Sequence, residues 1–210
     1  MVYHGNPMEY IYETPVILQF ILEHEKRILE ETELLLKGRE ISEIYLIGSG
    51  SSYNAAAAIA VFSKKLLGIR VTPVYPVTLM EDCKMVSPEA LVLGISQQGT
   101  SLAVIRAMDQ MKNRGLAVIS VTGEYGTEIT RHGDAKLYVE CGYEDAGATT
   151  KGYTATILTL LLFVIMAAEN MKKITEQEAD TYRNRIRAVI RNMEQVLKDS
   201  RRWCERAAEK

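Results

Sequence analysis

A chain of 210 residues with 47% hydrophobic and 25% charged side chains is sized for one globular domain with a sizeable core and room for appended helices. Its 25 Lys and Arg against 27 Asp and Glu leave a formal charge of −2, which gives no electrostatic reason for a nucleic-acid or anionic-membrane partner. Cys83, Cys141 and Cys204 form no CxxC pair and no zinc spacing, so neither a metal nor a cofactor is expected, and reduced thiols point to a cytoplasmic protein.

Met1 to Tyr10 lacks a basic segment followed by an apolar stretch, so no signal peptide is expected. Residues 16–37 read as a helix, with Ile17, Ile21, His24, Ile28 and Leu35 spaced for one face and Pro15 near the start, where a missing N–H does no harm. Ile44–Gly48 then reads as a strand, Ser52–Leu67 as an alanine-rich helix, Arg70–Tyr75 as a second strand and Leu79–Met85 as a short helix. Leu91–Ser96 is the third strand, followed by a helix over Thr100–Asn113. Leu116–Thr122 and Lys136–Glu140 are the fourth and fifth strands, separated by a short helix at Glu128–His132. Two helices close the chain at 149–171 and 176–208.

Strands of near-continuous Val, Ile and Leu are buried on both faces, as helices on both sides of a parallel sheet require. The expected fold is α/β: a doubly wound five-stranded parallel sheet, its first strand flanked by the second and third, with helices on both faces and long flanking helices. The expected organisation is a helical segment over 1–38, the α/β domain over 39–172, and a long terminal helix over 173–210. Such sheets bind ligands at the carboxyl ends of their strands.

Gly152 to Ala168 carries no charge, but a membrane span needs about 20 predominantly apolar residues. This run is shorter and holds Thr154, Thr156 and Thr159, so it reads as a buried core helix. In the last helix Tyr182, Ile186, Val189, Met193, Val196, Ser200, Trp203 and Ala207 follow steps of four and three, a heptad-like seam. Seven of those eight positions are apolar, so the seam needs cover. A homodimer or larger even assembly, through the last or the first helix, is expected.

Three loops are dense in hydroxyls where the chain hands over to a helix. The first is Gly48-Ser49-Gly50-Ser51-Ser52-Tyr53, the second Ser96-Gln97-Gln98-Gly99-Thr100-Ser101, and the third Gly147-Ala148-Thr149-Thr150-Lys151. A phosphate needs several donors converging on three oxygens, and a hydroxyl-rich turn opening a helix supplies them without Arg or Lys. In the third loop Lys151 is near enough to add charge. Any one such loop is first of all an N-cap. Three on successive units of one sheet point to a ligand. A dinucleotide fingerprint fails, because Tyr53 stands where its third glycine belongs and Val74, Tyr75 and Pro76 stand where its acid belongs. No GKS or GKT marks a Walker-type loop.

The ordered motifs GSGSSYN (48–54), ISQQGTS (95–101) and ATTKGYT (148–154) resemble the sugar-isomerase (SIS) domain superfamily. With Met8–Pro15, they are similar to the first of the two SIS halves in the isomerase part of glutamine–fructose-6-phosphate aminotransferases, and to fructosamine-phosphate deglycases. The resemblance implies a phosphorylated sugar as ligand, bound by Ser51, Ser52, Ser96, Gln97 and Ser101, with Gly147 and Thr149 lining the sugar. Gln98 stands where the family usually has a second serine and would donate from its amide; Thr100 stands where it usually has glutamate. The resemblance further implies aldose–ketose isomerisation or deglycation of a phosphorylated amino sugar. The alternative is a non-catalytic or regulatory sugar-phosphate module, or one half of a two-SIS enzyme completed by a second SIS chain. In the two-domain enzymes the catalytic glutamate and histidine come from the second half. Here Glu81, Glu144, His4, His24 and His132 are poor candidates for a base, and no catalytic pair is assigned.

Overall fold

The computed structural model describes residues 5–146 and 148–208. Two helices open it, α1 (Pro7–Glu23) and α2 (Glu25–Leu36). The start expected at residue 16 is therefore too late, and Pro15 lies inside α1. Asn6 caps the helix by accepting from Met8 N at 3.0 Å, and Pro7 takes the first position, where proline loses nothing. Interior Pro15 removes one helical N–H, but it is buried on the same face as Leu18, Ile21 and Leu22. The single helix expected through 37 divides at His24, whose φ of −106° and ψ of 16° leave the helical region. The His24 ring pairs through Nδ1 with the Phe20 carbonyl at 2.9 Å and stacks on Phe20, exposed rather than on the packed face.

The sheet follows: β1 (Glu43–Ile47), α3 (Ser51–Leu67), β2 (Arg70–Val74), α4 (Pro76–Glu81), a 3-10 turn (Cys83–Met85), β3 (Ala90–Ile95), α5 (Leu102–Asn113), β4 (Ala117–Thr122), a 3-10 turn (Glu128–Arg131) and β5 (Ala135–Tyr138). The short helix expected at Leu79 begins instead at Pro76, which sits at its first position behind an extended Tyr75. All five strands are parallel in the order β2-β1-β3-β4-β5. Glu43 stands level with both Arg70 and Ala90, so β1 is flanked by β2 and β3.

Alternation along the strands feeds two cores. Leu91 and Leu93 face the layer of α1, α2, α3 and α6 (Lys151–Asn170), while Val92 faces the layer of α4 and α5. Each fully buried Leu, Ile or Phe contributes about 1.5–3 kcal/mol. Helix α6 is long and apolar enough by length and composition to cross a membrane, and 72% of its apolar window is buried inside the protein. A helix apolar all round needs neighbours all round, and α1, α2, α3 and α7 (Glu176–Ala208) surround it.

The expected seam of α7 divides in two. Ile186 and Met193 pack beside buried Ala179 and Ile190, whereas Val189, Val196 and Trp203 are 65%, 59% and 66% exposed. A straight helix at 3.6 residues per turn drifts off a strict heptad, so one seam does not stay on one side. Arg183 anchors α7. Its guanidinium binds Glu25 at 2.9 Å, Glu169 at 2.7 Å and Asp180 at 3.3 Å.

Candidate functional site

The second hydroxyl-rich loop forms a tight turn at the carboxyl end of β3. Ser96 N donates to Val121 O at 3.0 Å, and Gly99 N returns to Ser96 O at 2.9 Å. Gly99 has φ +65°, and a Cβ there would collide with Thr127 Oγ1, so only glycine fits the turn. Ser101 is the N-cap residue of α5, yet its side chain makes no cap hydrogen bond. Its backbone N–H donates to Ser96 Oγ at a long 3.4 Å. Ser96 is 8% exposed and Ser101 is half-buried. Two hydroxyls and a helix start without a side-chain cap are thus gathered at the carboxyl end of β3.

The neighbouring residues of the turn divide. Gln98 and Thr100 are exposed. Gln97 turns inward as a strut: its Nε2 reaches Cys141 Sγ at 2.7 Å, and its Oε1 accepts from Thr156 Oγ1 at 3.3 Å. Its carbonyl accepts from Gly123 N at 2.9 Å and Thr122 Oγ1 at 3.2 Å. Gly123 lies so close that any Cβ would strike the Gln97 amide. Burial pushes the Cys141 thiol up from its ordinary pKa, so it serves here as a neutral partner. Gln97 therefore ties the turn to β4, to the exit of β5 and to α6.

The first loop crosses the carboxyl end of β1. Gly48 N donates to Val74 O at 3.3 Å, Ser49 and Gly50 are exposed, and Ser51 and Ser52 are half-buried in the first turn of α3. Gly50 is the N-cap residue and has no side chain to cap with; Ser52 N donates back to Ser49 O at 3.2 Å, and no side chain closes that helix start. Strands β1 and β3 are neighbours at about 4.8 Å spacing. From them the chain departs in opposite directions, to β2 and to β4, which is where an open α/β sheet forms its crevice. Ser51, Ser52 and Ser101 stand at helix starts beside that crevice, and Ser96 in the turn that leads to one of them.

The third loop differs from expectation. Gly147 lies outside the described residues, and Thr149 is half-buried. The start of α6 is already filled by Glu144. Its Oε1 accepts from Thr150 N at 2.6 Å and Thr150 Oγ1 at 2.7 Å, and its Oε2 from Gly152 N at 3.0 Å. Lys151 is 5% exposed; its ammonium pairs with Glu13 at 2.7 Å and sits 4.6 Å from the Tyr10 ring centroid. Its charge goes to α1 and does not reach the crevice. An acid shortly before a helix start is a readable signal for a cap; the inward turn of Gln97 and the lysine's partner leave no such trace.

The candidate bases lie elsewhere or are engaged. Glu81 is the exposed last residue of α4, and His24 sits at the α1–α2 junction. His132 precedes the amino end of β5 and is held by Asp109 at 2.6 Å and Glu128 at 3.3 Å. The hydrogen bond to Asp109 raises the imidazole above its ordinary value. His4 lies outside the described residues. A cleft of about 840 Å³ between α2, α6 and α7 is lined by Glu25, Glu169, Asp180 and Arg183, and it is built around the Arg183 ion pairs rather than the hydroxyl loops.

Known proteins are similar to this chain in sequence and fold. The glutamine–fructose-6-phosphate aminotransferase [isomerizing] of Fusobacterium nucleatum is 25% identical over 194 residues, covering 90% of this chain and 32% of its own length. A candidate phosphosugar isomerase of Clostridium difficile 630 superposes with a TM-score of 0.91 at 30% identity, covering 98% of this chain and 57% of that one. The C-terminal domain of glucosamine-fructose-6-phosphate aminotransferase from Francisella tularensis shares the fold, with a TM-score of 0.77 at 18% identity over 90% of this chain and 54% of that one. The chain thus spans about a third of the curated aminotransferase and little more than half of the solved structures. With the SIS domain matched over residues 39–166, and with its hydroxyl loops at the carboxyl ends of a parallel sheet, this chain belongs to the SIS domain family.

Proposed function

We propose that this chain binds a phosphorylated sugar, with the phosphate over the Ser96–Ser101 turn and the sugar between the loops after β1 and β3. One observation carries the reading. The N-cap hydroxyl of Ser101 leaves its own helix uncapped, beside the buried hydroxyl of Ser96. Hydroxyls that do not cap their helix are available to phosphate oxygens. Ser51 and Ser52 supply further donors, and Thr149 stands beside the sugar. Affinity in the range of about micromolar to millimolar, or roughly −8 to −4 kcal/mol, suits a cradle with no free cation in its three loops.

The reaction such a site serves is aldose–ketose isomerisation or deglycation of a sugar phosphate, in the cytoplasm. That chemistry moves a proton between adjacent carbons and needs a base poised near neutral pH. Among the described candidates, Glu144 is bound as a cap and the histidines lie away from the crevice. This favours a site completed by a second SIS unit, in a homodimer or with a separate SIS chain. The exposed Val189, Val196 and Trp203 on α7 offer an apolar face for that contact.

Calorimetry with glucose 6-phosphate, fructose 6-phosphate and inorganic phosphate, together with a turnover assay on the same sugars, tests the reading. Saturable binding of the sugar phosphates supports it, and no binding of any of them ends it. Light scattering at tens of micromolar addresses the assembly. A monomer with full turnover would remove the need for a partner.

A further inference from the structure

We propose that Glu144 sets the charge selectivity of this site, so that it takes monophosphates of neutral or amino sugars and turns away ligands with a second anion at the end remote from the phosphate. This rests on the phosphosugar reading and narrows it to a substrate class. The two helix starts beside the phosphate turn are unlike in charge. At α5 the N-cap side chain makes no bond to its helix, and the partial positive charge of the helix start is left for a ligand. At α6 a full carboxylate occupies the same kind of place, held by Thr150 N, Thr150 Oγ1 and Gly152 N at 2.6, 2.7 and 3.0 Å. A helix start carries roughly half a positive charge, so one carboxylate outweighs it and the α6 end is net negative.

The two ends lie within reach of one small ligand. Gln97, inside the phosphate turn, accepts from Thr156 on α6 at 3.3 Å. A Cβ on Gly152 would stand 2.8 Å from Gln97 Nε2 and 3.0 Å from Glu144 Oε2, so both side chains flank one backbone atom. Lys151 does not offset the carboxylate, since it is buried and paired with Glu13. A ligand with phosphate at α5 therefore presents its other end to a fixed negative charge. A hydroxyl or an ammonium is accommodated there. A carboxylate or second phosphate meets like charge in a half-buried setting, where water screens only in part.

Calorimetry with a matched pair reads this directly: glucose 6-phosphate, and 6-phosphogluconate, which carries the same phosphate but a carboxylate at the first carbon. The wild-type chain is expected to bind the gluconate more weakly by about tenfold or more, a fixed and partly screened repulsion being of that order. Glucosamine 6-phosphate should bind at least as well as glucose 6-phosphate. Glu144→Gln keeps an acceptor oxygen for the α6 start and removes the charge, so the affinity ratio of the pair should fall toward one. Equal affinity of the wild-type chain for both ligands overturns the proposal, and so does an unchanged ratio in a folded E144Q. Should E144Q fail to fold, the wild-type comparison still decides. Binding without discrimination defeats this inference alone, whereas no binding of any probe defeats the phosphosugar reading with it.

Discussion

Replacing both Ser96 and Ser101 by alanine removes the two hydroxyls on which the phosphate reading depends, and its effect can be worked from their surroundings. Ser96 Oγ accepts from Ser101 N at 3.4 Å, so its own proton remains to donate to a phosphate oxygen. Ser101 makes no side-chain cap bond and has its proton equally available. Each hydrogen bond to a charged acceptor is worth about 1.5–3 kcal/mol, so the pair is worth about 3–6 kcal/mol at most. Ser101 is half-buried, and water can replace part of what it loses, which brings the expected weakening down to at least about tenfold and up to about a hundredfold. The fold itself should lose little. Ser101 N gives up one long bond, about 0.5–1.5 kcal/mol, which lowers Tm by roughly 1–6 °C in a chain of this size. Calorimetry with glucose 6-phosphate beside thermal melts of the same samples separates the two effects. Affinity unchanged in a folded double variant would refute the placement of the phosphate.

Three further outcomes follow from other parts of the molecule. Arg183→Ala strands Glu25 and Glu169, of which Glu25 is 8% exposed; a broken buried pair costs about 3–5 kcal/mol, and the partial exposure of Arg183 reduces this to about 1–3 kcal/mol. Melting should fall by about 2–12 °C, and a shift under about 1 °C would show that α7 does not depend on this anchor. His132 carries a pKa raised by Asp109, so its pairing stabilises the fold fully below about pH 6.5 and fades as pH rises through the raised value. The stability difference between the wild-type chain and His132→Gln should therefore shrink from pH 5.5 to 8.5, and a difference that grows would reverse the argument. Gly99→Ala forces a Cβ into Thr127 at φ +65° and should cost at least about 1 kcal/mol while weakening sugar-phosphate binding; a neutral result in both would mean the turn is not as tight as it stands here.

The sheet was readable because its strands are runs that only a two-sided core explains. Leu91, Val92 and Leu93 send alternate side chains to different layers, so all three are apolar. Helix ends were less readable where two signals competed. Pro15 suggested a start, while the stronger device lay upstream in Asn6 and Pro7. His24 fell on the apolar spacing of residues 16–37, yet it ends one helix and begins another because its ring prefers the Phe20 carbonyl and ring. The heptad pattern of α7 counted residues correctly but could not state which side met the protein. Packing against α1 and α6 selected Ile186, Ile190 and Met193 and left Val189, Val196 and Trp203 outside.

The site exposes a deeper ambiguity in reading hydroxyls. A serine or threonine that caps a helix and one that waits for a phosphate occupy the same place in sequence, just ahead of a helical run. They differ only in where the hydroxyl points and in what has already satisfied the helix start. At α5 nothing on the side chain of Ser101 has done so, and the turn remains a cradle. At α6 Thr150 looked equivalent, yet Glu144, folding back from the irregular segment after β5, has taken the backbone donors and Thr150 Oγ1 as well. Two hydroxyl-bearing loops ahead of helices therefore have opposite electrostatic character. The difference was set by one acidic residue outside the motif, and by a lysine inside it whose charge is spent on Glu13. Hydroxyl density locates such a crevice; the capping carboxylate decides which end of a ligand can face each wall.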